Sequence, residues 1–170
     1  ARSRRTRPES RQWGAAWVFV ADPRTAGMSR ECEYTHDVSA ERFEDVSGEQ
    51  WDCPRQAAHD GRCVFHAPPD AVSDAPVRAA FLDAVGGEGG ALRLIGAHLG
   101  SLSLDYAVLD GPSNHPIDLR EAEIDGDLSA RYVTTERPVR MDGAHLHGVV
   151  DLEDATFSRR VDFGGATFEG

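Results

Sequence analysis

The second half of the chain repeats itself, and this limits the fold more than any other property of the sequence. Written in lines of eleven from Ile117, Val150-Asp151-Leu152-Glu153-Asp154-Ala155-Thr156-Phe157 is answered by Val161-Asp162-Phe163-Gly164-Gly165-Ala166-Thr167-Phe168. Both read V-D-(L/F)-x-x-A-T-F. Val139 to Leu146 and Ile117 to Ile124 keep the same apolar and small positions, whereas the line over 128–138 reads out of phase. Upstream the beat is a strict five, Leu94, Leu99, Leu104 and Leu109, with Leu92, Ala97, Leu102 and Ala107 two residues before each. A fixed period of this kind means one unit stacked on copies of itself. Neither helical spacing nor plain alternation gives a beat of five, or of five and six in turn. A short extended stretch followed by a corner does. Residues i−2 and i of such a stretch point the same way, and a small residue at i−2 leaves room for a large one at i on the neighbouring coil. Gly96, Gly126, Gly143, Gly148 and Gly165 suit corners. Segments 113–116 and 134–138 read as loops leaving the coil.

The triplets Ala97-His98-Leu99, Ala122-Glu123-Ile124, Ala144-His145-Leu146, Ala155-Thr156-Phe157 and Ala166-Thr167-Phe168 match the alanine and large apolar places of a consensus A-(D/N)-L-x-x, with His, Glu or Thr between them. Residues 92–170 thereby resemble the pentapeptide-repeat family. The resemblance implies a mainly β fold, a right-handed quadrilateral β-helix with a dry core. The inward stack is expected to hold Leu94, Leu99, Leu104, Leu119, Leu146, Leu152, Phe157, Phe163 and Phe168. The competing reading is an ordinary antiparallel β domain whose period arose by chance.

Ahead of the repeat, residues 28–70 hold all three cysteines, an odd number that argues against a disulfide framework. Cys32, Cys53, Cys63 and His66 read C-x20-C-x9-C-x2-H. The C-x2-H element puts two ligands on one turn, and four donors of these types suit tetrahedral structural zinc. The segment is poor in aliphatic residues, so a bound ion would replace a core it lacks. His36 and His59 are spare imidazoles able to replace one ligand, and the competing reading is three idle thiols. The W-x-C-P and C-x-F-H patterns, Trp51 to Pro54 and Cys63 to His66, are similar to modules that precede pentapeptide repeats in haloarchaeal proteins. With four protein ligands such a site is closed and non-catalytic.

Residues 71–91 form a joint. Ser73 or Asp74 is placed to cap a short helix through Val77, Ala80, Phe81 and Val85, ended by the glycines from Gly86 onward. A solenoid needs its open end covered, and this helix, with Phe81 and Leu82 facing the first coil, is the expected cap. Residues 1–27 are a basic leader, disordered or lying upstream of the native start at Met28. Trp13, Trp17 and Phe19 within it are able, as residue types, to pack as a small apolar patch.

The net charge is −11, yet residues 1–30 carry seven Arg against Glu9 and Asp22, and Lys is absent throughout. That composition fits a GC-rich genome, and the acid excess suits a salt-loving host, whose electrolyte screens surface repulsion. No run of eighteen apolar residues exists, so no membrane span is expected. Phosphate-loop, nucleophile-elbow and H-E-x-x-H patterns are absent from the sequence. His145 and His147 flank an inward Leu146 and are expected to face solvent, as are Asp118, Glu123, Asp151, Glu153, Asp154 and Asp162. The expectation is a cytoplasmic, non-enzymatic scaffold with a structural Zn2+, a protein partner, no small-molecule substrate, no direct nucleic-acid binding, and end-to-end self-association as an option. Two alternatives remain open. One is the soluble domain of a larger, channel-type membrane protein. The other, implied by the family resemblance, is an acidic DNA mimic acting on gyrase.

Overall fold

The beat of five closes into a four-sided coil. A computed structural model describes residues 30–39, 41–87, 92–111 and 115–170; the basic leader, its aromatic patch and Met28 lie outside these. The first side of the solenoid stacks Leu92–Arg93, Ile117–Asp118, Val139–Arg140 and Val161–Asp162 in parallel register. His98–Leu99, Glu123–Ile124, His145–Leu146 and Thr167–Phe168 form the second side. The third side holds Leu102–Ser103, Leu128–Ser129 and Val150–Asp151. On the fourth, Thr134–Thr135 pairs with Thr156–Phe157, and Val108 bridges to Thr134. Three coils are thus complete, and a fourth begins.

Each side contributes two inward residues, so columns of side chains run along the axis. Ala97, Ala122 and Ala144 form one fully buried column, and Leu99, Ile124 and Leu146 its large neighbour. Small beside large lets neighbouring coils interdigitate. Dispersion and loss of apolar surface to water hold the coils together, at about 25 cal/mol per Å² removed from solvent. Backbone bonds between coils, such as Leu94 N–H to Asp118 O and Leu119 N–H to Arg140 O, satisfy the extended segments.

Four expectations are corrected here. The line over 128–138 is in register, pairing residue for residue with the coils on both sides. Its phase is masked because Ala130 stands where Leu104 and Leu152 stand, and Val133 where Ala107 and Ala155 do. Large and small have exchanged places, and the volume of the pair is kept. Residues 134–138 do not leave the coil either. Thr135 is buried, its hydroxyl donating to Leu109 O and accepting the Arg137 N–H. Third, Asp118 faces no solvent; it is buried against Arg120. Fourth, the inward stack is not uniformly dry. Leu94, Leu99, Leu104, Leu119 and Leu146 are buried, Phe157 and Phe163 are half-buried, and Leu152 and Phe168 are 36% and 51% exposed. These four point along the same columns, but among the described residues no further coil covers them. Of segment 113–116, His115 and Pro116 lead directly into the first side, where Leu92 N–H donates to Pro116 O. Residues 113 and 114 lie outside the described ones.

The N-terminal part begins with an antiparallel pair, β1 (Thr35–Asp37) and β2 (Gln50–Asp52). Helix α1 (Asp74–Gly86) follows and buries Val77, Phe81 and Val85 against the first coil. It is the cap expected from sequence, held differently at its ends. Ser73 sits at the N-cap position without a side-chain capping bond, and Asp74 accepts instead from Ser101 N–H at 3.0 Å. At the other end the buried Arg137 donates to Val85 O and His115 O, tying the helix C-terminus to the second coil.

Candidate metal centre

Three separate pieces of backbone bring the cysteine and histidine donors together. Cys32 is fixed by its N–H to Arg55 O, and Cys53, just after β2, by its N–H to Tyr34 O. Cys63 follows a tight reversal in which Asp60 and Gly61 take positive φ. One helical turn later, His66 N–H bonds Cys63 O, which places the C-x2-H pair on a common face. All four side chains are buried, and their donor atoms lie within 4.8 Å of one another.

The separations suit a tetrahedral ion. Sγ of Cys53 and Cys63 are 3.9 Å apart, and His66 Nδ1 is 3.2 Å from Cys63 Sγ and 3.9 Å from Cys32 Sγ. Zinc bonds of about 2.3 Å to sulfur and about 2.0 Å to nitrogen, at tetrahedral angles, require about 3.8 Å between sulfurs and about 3.6 Å between sulfur and nitrogen. The three thiols are free rather than joined. His66 is oriented for coordination through Nδ1, because Nε2 lies 3.0 Å from Ile95 O and donates there. A carbonyl on the far nitrogen fixes the tautomer and the ring plane of a metal-binding imidazole. The Tyr34 ring stacks on His66 at 4.0 Å and 8°, and Trp51 closes another flank.

The thiols are electronically distinct. A hydrogen bond from Cys53, then one from His66 and its charge, hold the Cys63 thiol well below its ordinary range despite burial. That same bond, together with burial, pushes Cys53 upward. Of this bonded pair Cys63 is the readier thiolate, and a cation placed between the sulfurs would favour the ionised form of both.

Residues 136–170 match the family described as Pentapeptide repeats (9 copies). Those residues span the third and fourth coils of the β-solenoid, which there carry the pentapeptide pattern. The comparisons with curated proteins and with solved structures give no significant match.

Of the two spare histidines, neither joins the cluster. His36 bonds Glu121 at 2.8 Å and Tyr34 at 3.0 Å, and His59 is exposed. His36 belongs instead to a polar joint between the donor cluster and the pentapeptide-repeat coils. Glu121 accepts from both His36 and Arg42. Arg120, buried, forks onto Asp118 at 2.9 and 2.6 Å, reaches Asp45 at 2.9 Å, donates to Arg42 O and covers the Phe43 ring. Burial would raise the Asp45 carboxyl, but Arg120 and Arg140 hold it below the usual range. Gly96 completes the joint at φ +61°, where a Cβ would strike the Tyr34 hydroxyl and His36 Nδ1.

Sequence reasoning missed this joint. A run reading D-L-R, Asp118 to Arg120, inside an otherwise apolar line was the one signal that a repeat position faced another part of the chain. The Ile95 carbonyl leaves no mark on the sequence, since backbone acceptors are independent of side-chain identity.

Proposed function

We propose that the chain is a non-enzymatic interaction scaffold, in which a structural zinc ion in residues 28–70 holds a small module onto one end of a pentapeptide-repeat solenoid. Residues 71–91 are the joint and cap, and 92–170 the rod. The observation carrying this reading is the buried Cys32, Cys53, Cys63 and His66 set, with donors within 4.8 Å and the far histidine nitrogen already bonded. Four protein donors fill a tetrahedral ion, leaving no position for substrate or activated water, which is the structural rather than the catalytic form of a zinc site. Its task is then to hold shape. Free thiols in a metal-ligating arrangement suit a reducing compartment, and we assign the protein to the cytoplasm. Among the described residues no helix is long and apolar enough to cross a membrane.

The rod offers a partner a stiff ruled surface. Arg131, Asp151 and Glu153 lie along the acidic outer face of its third side and following corner. A protein partner is the occupant this favours. After exhaustive dialysis to remove exchangeable surface ions, protein purified without chelator should retain one zinc per chain by elemental analysis, and Cys53→Ser should retain none. Protein without metal, or Cys53→Ser with full zinc, would overturn the zinc assignment. For the partner, the wild-type chain and an Asp151→Lys/Glu153→Lys variant are compared in capture from host extract. A protein retained only by the wild type supports the scaffold reading, and identical retention by both removes this face from it.

A further inference from the structure

The second side of the solenoid carries a set of metal-binding side chains that the cysteine cluster does not use. Parallel register with a coil of twenty-two residues puts Glu123 beside His145, and stacks Asp125, His147 and Glu169 two residues further along each line. In the first coil His98 takes the place next to Glu123. Leu99, Ile124 and Leu146 between them point inward, so these polar chains face outward over a rigid core.

Their atoms converge. The donor atoms of His98, Glu123 and Asp125 lie within 4.8 Å of one another. His98 Nε2 is 3.2 Å from each Asp125 oxygen and 3.9 Å from Glu123 Oε2. The other Glu123 oxygen is 3.2 Å from His147 Nε2. Two imidazole nitrogens therefore approach one carboxylate from its two oxygens. On its far side, His147 Nδ1 is 2.8 Å from Glu169 Oε2. That last contact orients the His147 ring, which in turn supports the Glu123 carboxylate from outside the donor set.

We propose that His98, Glu123 and Asp125 bind a second divalent transition-metal ion, with His147 bracing the Glu123 carboxylate and Glu169 orienting His147. Mixed imidazole and carboxylate donors select borderline ions such as zinc, cobalt or nickel over calcium and magnesium, which take all-oxygen sets. Two carboxylates converging on one imidazole give a divalent cation a strong electrostatic welcome. His98 is 40% exposed and Glu123 and Asp125 each 49%, so water completes the coordination and the ion exchanges readily. The site is distinct from the buried cysteine cluster in donors, exposure and place on the rod.

Cobalt(II) separates the two sites in the full-length reduced chain. Cobalt at the cysteine cluster produces near-ultraviolet thiolate-to-metal charge transfer; cobalt held by nitrogen and oxygen alone does not. Titration followed by absorbance and equilibrium dialysis should show two ions per chain, one of them adding no charge-transfer intensity. His98→Ala and Asp125→Asn, checked for unchanged circular dichroism, should lose that ion and keep the thiolate band. Glu169→Gln should weaken it on the order of tenfold. A wild-type chain lacking any ion without charge transfer, or such an ion unaffected by both variants, would falsify the proposal. Failure of the thiolate band alone would count against the zinc reading and leave this site judged by its own variants.

Discussion

Glu121 occupies a corner at which the neighbouring coils carry glycine. Gly96, Gly143 and Gly165 share its place and its left-handed backbone, with φ between +61° and +69°; Glu121 itself has φ +54°. A side chain there costs about 1 kcal/mol relative to glycine, and what it gains is the paired contact with His36 and Arg42. The two contributions oppose each other at one residue. Glu121→Gly should therefore change overall stability by less than about 1 kcal/mol, since relief of strain offsets partly exposed charge contacts. Its local effect is larger: limited proteolysis within residues 30–67 should quicken, while the solenoid stays resistant. A variant as resistant as wild type throughout would mean that Glu121 does not secure the joint.

At the scale of a coil, position along the axis decides what a residue contributes. Ile124 and Phe168 lie in the same inward column, two coils apart, the first fully buried and the second 51% exposed. Ile124→Ala removes apolar contact on both sides and should cost roughly 2–5 kcal/mol. Phe168→Ala, despite the larger deletion, should cost less than about 1.5 kcal/mol because much of the ring is already hydrated. Denaturant melts of the two variants check this, and equal losses would show that something covers the last coil in solution. The contrast also shows how far the sequence was legible. Period and inward positions could be read because every coil repeats the same extended pair and corner. Burial could not, since it depends on the next coil being present. The swap of sizes at Ala130 and Val133 hid one coil for a related reason, because packing constrains the summed volume of neighbours rather than either residue. The four metal donors were legible as residue types at suitable spacing, and their convergence was settled by turns at Asp60 and Gly61 that composition only hints at.

Across the whole molecule, the cysteine cluster and the rod share a boundary, so removal of metal should be felt in the rod, but over a limited distance. Two bonds cross the boundary beside the cluster. His66 Nε2–H donates to Ile95 O, and His98 N–H donates to Phe65 O at 2.9 Å. Both lie in the first coil. Solenoid coils touch mainly their neighbours, so a perturbation at one end decays coil by coil rather than unfolding the array at once. Stripping the metal with a strong chelator should then increase hydrogen exchange at Cys53 and His66 and at His98. Met141 and Ala144, whose amides bond within the third coil and onto the fourth, should keep their protection. Site-resolved exchange with and without chelator reads both ends in one experiment. Loss of protection at every coil would mean that rod and module fold as one cooperative unit. No change at His98 would mean that the module is fastened by the polar joint, in which Arg93, Arg120 and Arg140 bond Asp45 and Glu121 bonds His36 and Arg42, and that the ion stabilises only its own segment.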